Sequence, residues 1–357
     1  MRIAVIGVGL IGGSIALAAR ERLDASVAGF DRSRLALDEA ASLGALDERC
    51  ESAQHAVSDA EAVFVAVPVG GLRDAIATTL SSAAGDCVVT DVGSTKRSVV
   101  GAHGGDSRFV GGHPLAGAET SGVAYARADL FEGATWYLTP TARTSGLLYD
   151  RLYRFLRALG ARPTAIDADT HDTILATVSH LPHVLANVLV AQAARTLAEG
   201  GERLPATGPS FRDATRVAGA PSDIWTDIYL SNRDALAAGL EQTIQRLASV
   251  RDALKAGDAA GLERWNEDAA GDRRRLLEAQ LAGGPLFELR ASVPNRPGVI
   301  AELALALGRA GVNITDMALY PAPDLSDGVV ALWIAGEEQA ARTEELVGRL
   351  GFPVARA

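Results

Sequence analysis

Cysteine and lysine are nearly missing from this chain of 357 residues, which carries two cysteines, Cys50 and Cys87, and lysine only at Lys96 and Lys255. Two cysteines are too few for a disulfide framework or a thiolate metal site. The start MRIAVIGVGL also lacks the layout of a secretory signal. A reducing cytoplasm is the expected compartment. Blocks of Lys or Arg are absent and the formal charge is -10. That argues against nucleic acid as a partner, because a phosphate backbone needs clustered positive charge. Long apolar runs are lacking too. The most apolar helical stretch, Leu181 to Ala194, contains His183, Asn187 and Gln192. It falls short of the roughly 20 residues that cross a bilayer, so no membrane partner is expected.

What is present fits two or three domains, since the length exceeds that of one core. In the first 140 residues short apolar runs alternate with amphipathic stretches: Arg2–Ile6, Ser26–Phe30, Ala62–Val67, Cys87–Thr90, Phe109–Gly111 and Thr135–Leu138. Near-continuous apolar strands suit a sheet covered on both faces, a doubly wound α/β Rossmann fold over residues 1–166. After Asp167 the pattern turns helical, predicting an all-helical second domain over 167–282. Gly283, Gly284 and Pro285 break it. Residues 285–357 read strand, helix, strand, strand, helix, strand, an α+β module whose first helix stops at Gly311.

GVGLIG, Gly7 to Gly12, follows the first strand and opens a helix. Gly7 permits a tight turn, Gly9 lets the backbone approach a pyrophosphate, and Gly12 allows close helix packing. Leu10 and Ile11 lie inside the turn, where the helix N-terminus offers N–H groups to the anion. Asp31, at the end of the second strand, should hydrogen-bond the adenosine ribose and repel a 2'-phosphate, selecting NAD over NADP. Arg32 and Arg34 weaken that preference. FVAVPV places Val67 and Pro68 past a buried strand, at the edge where ligands of open α/β sheets bind; a proline that merely ends a strand is the competing reading.

DVGSTK puts Ser94, Thr95 and Lys96 at the same edge, and a lysine runs against the bias of this chain. FVGGHPLAGAETSG holds His113 at the end of another strand with Glu119 six residues on. A histidine there is suited to take a hydroxyl proton during hydride transfer. SHLPH offers His180 and His183 on one helical face, but no carboxylate or cysteine completes a ligand set and no metal is expected. Further on lie Arg212, Asp213, Arg216 and Trp225. An arginine in a cleft would grip a carboxylate in two parallel hydrogen bonds, whereas a solvated salt bridge is the default for any single arginine.

Taken in order, GVGLIGGSIA, DVGSTK, GGHPLAGAETSG, the SHLPH helix and FRDATRVA resemble the prephenate dehydrogenase family over about residues 1 to 280. The tail segment SVPNRPGVIAELALALGRAGVNITDM resembles an ACT domain, a module that commonly binds amino acids. The resemblance implies NAD-dependent oxidative decarboxylation of prephenate to 4-hydroxyphenylpyruvate in tyrosine biosynthesis. It makes His113 the catalytic histidine at the ring hydroxyl, with Ser94 supporting it. It makes Arg216 the binder of a substrate carboxylate and brings His183, Glu119 and Trp225 to the substrate pocket, where Lys96, singled out by its rarity, is also expected to bind substrate. A homodimer built on the helical domain and an effector such as tyrosine on the tail are also implied. One departure is TGPS, Thr207 to Ser210, where the family often has a triple glycine before FRD.

Arogenate stays open as the alternative substrate. A β-hydroxy-acid dehydrogenase would need a catalytic lysine on the helical domain, and beyond Arg97 only Lys255 is available, outside any polar constellation. A non-enzymatic NAD-binding amino-acid sensor is disfavoured by the set Ser94, His113 and Arg216.

Overall fold

The computed structural model describes residues 1–357 apart from 118–119, 200–207, 280–284, 295, 297–298, 300–301, 304–305, 308–309, 313 and 323–325. It contains two compact units, Met1–Gln245 and Arg246–Ala357.

The first unit begins β1 (Arg2–Ile6), α1 (Leu10–Leu23), β2 (Ser26–Phe30), α2 (Arg34–Ser42), β3 (Glu48–Arg49), α3 (Ala53–Val57), β4 (Ala62–Val65) and α4 (Val69–Ser82). It continues β5 (Val88–Asp91), α5 (Arg97–His103), β6 (Phe109–Pro114), β7 (Thr135–Thr139), α6 (Gly146–Ala158) and β8 (Arg162–Ala165). These strands form one sheet in the order β3-β2-β1-β4-β5-β6-β7-β8. β6 and β7 pair antiparallel, and the other pairs are parallel. The first six follow the order of dinucleotide-binding sheets, in which the strand order reverses between β1 and β4 and leaves a crevice at the carboxyl edge.

Strand periodicity decides which face each residue serves. Ile3 and Val5 join one apolar layer with Phe64 and Trp136, while Ala4 and Ile6 join the opposite layer with Val63 and Val65. Both faces are therefore covered, and β4 and β5 are buried at every position. Trp136 anchors the first layer, with its ring 5.0 Å from that of Phe131 and 6.4 Å, edge-on, from that of Phe64.

Three expectations change in detail. The run Ala62–Val67 ends as a strand at Val65, because Pro68 caps α4 and has no N–H to continue a ladder. β6 runs on through His113 to Pro114, so His113 lies within a strand, opposite Tyr137 of β7. β3 and β8 are too short, or too polar, to show as apolar runs.

After β8 come α7 (Ala168–Leu175), a π turn (Ala176–His180), α8 (Leu181–Glu199), α9 (Pro209–Thr215), α10 (Ser222–Ser231) and α11 (Arg233–Ala256). The expected break between sheet domain and helical domain at 166/167 is not a break in packing. The Asp172 carboxylate accepts the N–H groups of Lys96 at 2.7 Å and Arg97 at 2.9 Å, and Asp227 accepts that of Gly70 at 3.0 Å. Helix termini leave such N–H groups unpaired, so these carboxylates bind α7 and α10 to the starts of α5 and α4. The division between the two units falls inside α11.

The π turn also joins α7 to α8. The result is one helix, Ala168–Thr196, of 29 residues, long and apolar enough by length and composition to cross a membrane. The shorter segment read from the sequence missed this extension. Its first sixteen residues include buried His171, Asp172, His180 and His183, the polar residues of the site described below.

In the second unit α12 (Ala259–Ala279) precedes β9 (Leu286–Pro294), β10 (Ile314–Pro321), β11 (Asp327–Ala335), a helix α13 (Glu337–Arg349) and β12 (Val354–Arg356). The four strands form an antiparallel sheet in the order β10-β11-β9-β12. Alternate residues Leu289, Ala291 and Val293 face a core completed by Val299, Leu303, Leu307 and Val347. Gly311 has φ +73°, as suits a residue that stops a helix. Much of the expected first helix of this module, with Pro297 and Gly298 at its start, lies outside the described residues.

Candidate active site

Backbone sterics shape the glycine turn. Gly7 has φ +95°, and a Cβ there would lie 2.6 Å from the carbonyl oxygen of Ala66; a Cβ on Gly12 would lie 1.9 Å from that of Gly7. Gly9 differs, because a Cβ on it meets nothing within 4 Å. That open space at the start of α1, beside the half-buried Leu10 and Ile11, is where a pyrophosphate needs to approach. Asp31 closes the turn: Oδ2 accepts the N–H of Val8 at 2.9 Å and Oδ1 that of Ser33 at 2.8 Å. Arg32 is exposed next to it, Val67 is half-buried, and Pro68 is exposed at the start of α4. The residues present fit NAD.

Across the same edge a second group of residues is buried. Asp91, at the end of β5, accepts the N–H of Gly93 at 2.9 Å and that of Gly112 at 3.1 Å, and pairs with the ammonium of Lys96. Both side chains are fully buried. Burial pulls the Lys96 amine below its ordinary pKa against the opposing pull of Asp91. The ammonium expected at the substrate pocket is engaged by Asp91, whose other oxygen accepts the N–H of Gly112, the residue before His113. Ser94, half-buried, stands in the loop between Asp91 and Lys96.

His113 is buried, and its Nδ1 lies 2.9 Å from Nε2 of His171. Nδ1 of His171 lies 2.8 Å from Oδ1 of Asp172. Burial pushes the His113 imidazole well below its usual pKa, so it is neutral at pH 7. Burial alone would raise the Asp172 carboxyl; hydrogen bonds from His171, Arg97 and Lys96 outweigh it and hold that carboxyl below its ordinary value. Asn232 donates to the Asp172 carbonyl at 2.7 Å and lies 3.2 Å from Nδ1 of His180, whose pKa burial lowers to about 4. Nε2 of His180 and Oδ1 of Asn232 are buried without a hydrogen-bond partner among the described residues. Such atoms are costly unless a ligand or water meets them.

Among the other residues singled out, His183 and Trp225 meet as stacked rings with centroids 3.5 Å apart, and Tyr229 hydrogen-bonds His183 Nδ1. Arg216 is exposed at the end of α9. Glu119 lies outside the described residues. His171, Asp172, Asn232 and Tyr229 escaped the reading of the sequence. The signal for the first two was a His-Asp pair in the opening turn of the SHLPH helix. Among the described residues the group with metal-ligand spacing is Glu48, Cys50 and His55, remote in sequence from these histidines, and there Arg2 already holds Glu48 at 2.9 Å.

A glycine turn fitted to a dinucleotide and a neutral buried histidine on one sheet edge define a dinucleotide-dependent oxidoreductase. Comparison with known proteins narrows the class. Residues 15–165 match the family model described as prephenate dehydrogenase, nucleotide-binding domain, and residues 167–267 match prephenate dehydrogenase, dimerization domain. A prephenate dehydrogenase of Bacillus subtilis is 32% identical over 354 residues, covering 97% of this chain and 95% of that protein. A cyclohexadienyl dehydrogenase of Zymomonas mobilis is 35% identical over 263 residues, covering 72% of this chain and 89% of its own. The crystal structure of Aquifex aeolicus prephenate dehydrogenase in complex with hydroxyphenyl propionate and NAD+ superposes with a TM-score of 0.71 at 27% identity, covering 77% of this chain and 98% of that one. This chain belongs to the prephenate dehydrogenase family, and its cofactor is NAD.

Proposed function

We propose that the chain catalyses oxidative decarboxylation of prephenate to 4-hydroxyphenylpyruvate in tyrosine biosynthesis. The observation that carries this reading is the neutral His113 at the carboxyl edge of the sheet, its Nε2 unengaged among the described residues while its Nδ1 is held by His171. When bound at the glycine turn, NAD supplies the hydride acceptor. His113 takes the ring hydroxyl proton through Nε2 as the alcohol carbon becomes a carbonyl, and Ser94 hydrogen-bonds the same hydroxyl. Loss of the ring carboxylate as carbon dioxide then delivers an electron pair into that carbonyl and aromatises the ring, after which the phenol oxygen regains a proton. Arg216 grips a substrate carboxylate, with Glu119, His183 and Trp225 around it. Holding one ring against the cofactor beside one base accounts for the chemistry through proximity and proton transfer.

Initial rates with prephenate and with arogenate, each crossed with NAD and NADP, test the reading. Highest kcat/KM with prephenate and NAD is the expected result. A preference for arogenate, the substrate named for a neighbour of known structure from Synechocystis with TM-score 0.67 and 27% identity, would move the assignment within the family. No NADH from either compound would sink it.

The same reading takes residues 1–166 as the NAD domain, 167–282 as the substrate and dimerisation domain, and 285–357 as an ACT regulatory domain in a cytoplasmic homodimer. Support for the homodimer comes from the dimerization-domain match and from Val188, Leu189 and Val190, exposed on α8. Support for the tail comes from its four-stranded sheet and from a cavity of about 550 Å³ lined by Pro294, Tyr320 and Phe352 among others. An aromatic amino acid such as tyrosine is the proposed effector.

A further inference from the structure

The chain His113–His171–Asp172 lies across two elements, with β6 contributing the first residue and the opening turn of α7 the other two. His171 and Asp172 are both fully buried, and His113 is 8% exposed. Donor and acceptor roles along it follow from one fixed end. A carboxylate only accepts hydrogen bonds, so Nδ1 of His171, 2.8 Å from Asp172, carries a proton. With only that proton, His171 presents a bare Nε2. The contact of 2.9 Å to Nδ1 of His113 requires a proton between the two nitrogens, and His113 must supply it. With its proton on Nδ1, neutral His113 has its lone pair on Nε2.

Asp172 is itself held through both carboxylate oxygens. Its Oδ1 also takes the N–H of Lys96 at 2.7 Å and its Oδ2 that of Arg97 at 2.9 Å, so the carboxylate cannot swing away from His171. The ring of Tyr137 stands perpendicular to His171 at 5.6 Å and limits its tilt. The groups of charge or titratable character around His113 are His171 and Asp172 on α7, Asp91 at the end of β5 with Lys96 after it, and His180 at the π turn.

We propose that His171 and Asp172 are positioning residues which lock His113 in the Nδ1–H tautomer and aim its basic Nε2 at the substrate hydroxyl. The inference rests on His113 being the base, as argued above. It adds how that base is prepared before substrate arrives. The Asp172 charge lies one ring away from the imidazolium that forms when Nε2 takes the proton, and stabilises it. The logic is that of a carboxylate–histidine pair in acyl transfer, extended by one imidazole.

Long-range proton–nitrogen NMR on the full-length, histidine-labelled protein reads the tautomer directly, without substrate or turnover. In the unmodified protein His113 should show a protonated Nδ1 and an unprotonated Nε2. The reverse pattern overturns the proposal. Asp172→Leu removes the acceptor that keeps the His171 proton on Nδ1, so that proton moves to Nε2, the nitrogen that still has a partner, and His113 is forced into the wrong tautomer. The His113 nitrogen signals should exchange character, and kcat should fall by on the order of 10³-fold or more with KM nearly unchanged. Retained tautomer and retained kcat in this variant would also refute it. His171→Leu removes the acceptor, whereas His171→Gln keeps a carbonyl oxygen at about the same reach, so glutamine should restore a large part of what leucine loses. Equal losses in the two would mean that His171 only fills space. If the tautomer is as stated but His113→Asn turns over prephenate at a near-normal rate, the assignment of the base fails and the locking stands.

Discussion

The glycine turn and the histidine cluster share one sheet edge but are held by different physics. The turn is set by steric exclusion, since Gly7 and Gly12 have no room for a methyl group while Gly9 has ample space. The cluster is set by hydrogen bonds and charge: two buried aspartates, Asp91 and Asp172, each pin backbone N–H groups of neighbouring loops and each engage one titratable side chain. The turn should therefore respond to added volume and ignore protons, and the cluster should do the opposite.

The largest effect that would test this contrast is at Lys96. Lys96→Met keeps most of the volume but strands the Asp91 carboxylate, and removing one partner of a buried pair costs about 3–5 kcal/mol. Urea unfolding should show that loss, and Lys96→Met with Asp91→Leu should recover part of it. Substitution with no measurable loss would show that the pair does not hold the cluster.

The turn is probed by a matched pair of substitutions. Gly12→Ala forces a methyl group against the Gly7 carbonyl and should destabilise the fold by about 1–3 kcal/mol, the usual range for overpacking. Gly9→Ala should change stability by less than about 0.5 kcal/mol, as at an unconstrained site, because its φ of −78° suits alanine and the space is empty. Yet it should weaken NAD binding in a fluorescence titration, since the methyl group stands where the pyrophosphate approaches. Unaltered NAD affinity in Gly9→Ala would remove Gly9 from the cofactor site.

Protons provide the complementary probe. Burial lowers the pKa of His113, His180 and His183, in the case of His180 from an ordinary 6.5 to about 4. Depressed values mean that the unfolded chain binds more protons than the folded one once the pH falls below about 6.5. Stability from these groups is complete above that pH and lost toward the folded values, with a slope of up to about 1.4 kcal/mol per pH unit for each histidine. The melting temperature should be flat from pH 8 to 7 and drop between pH 6.5 and 4. A flat profile through that range would contradict the neutral burial of the cluster.

The same contrast explains what could be read from the sequence. GVGLIG is largely local: Gly12 packs on the carbonyl of Gly7 within the same turn, although Gly7 also meets Ala66 just past β4, and strand, turn, helix and Asp31 were all legible. The sheet edge that carries Ser94 and His113 was legible too, though β6 runs on past its apolar start to include His113. The partners of His113 were not. Nine residues separate His171 from His180, and at about 100° per residue an ideal α-helix puts them on opposite sides. The π turn at Ala176–His180 takes up an extra residue and rotates the later histidines, which no apolar periodicity reports. Asn232 comes from a segment 60 residues past Asp172 and joins it through a main-chain carbonyl, a contact with no signature of its own. Lys96 was noticed for its rarity, and its role depends on an aspartate five residues earlier whose burial only the sheet defines.

Asp31 gives the smallest expected effect and sharpens the comparison most, because it is the one charged side chain that belongs to the turn. Its two oxygens already accept the N–H groups of Val8 and Ser33, so part of its role is to shape the turn and part is to meet the ribose. Asp31→Ala removes both and should weaken NAD binding by about 1 kcal/mol, roughly fivefold, as expected for one net hydrogen bond. Asp31→Asn separates them in part, since its single amide oxygen keeps one of the two backbone bonds while the negative charge that repels a 2'-phosphate is gone. With Arg32 exposed beside it, NADP affinity should rise in Asp31→Asn and NAD affinity should change less than in Asp31→Ala. Titration of both cofactors against the three proteins decides the matter: if NADP binding is the same in all of them, Asp31 shapes the turn and does not select the cofactor.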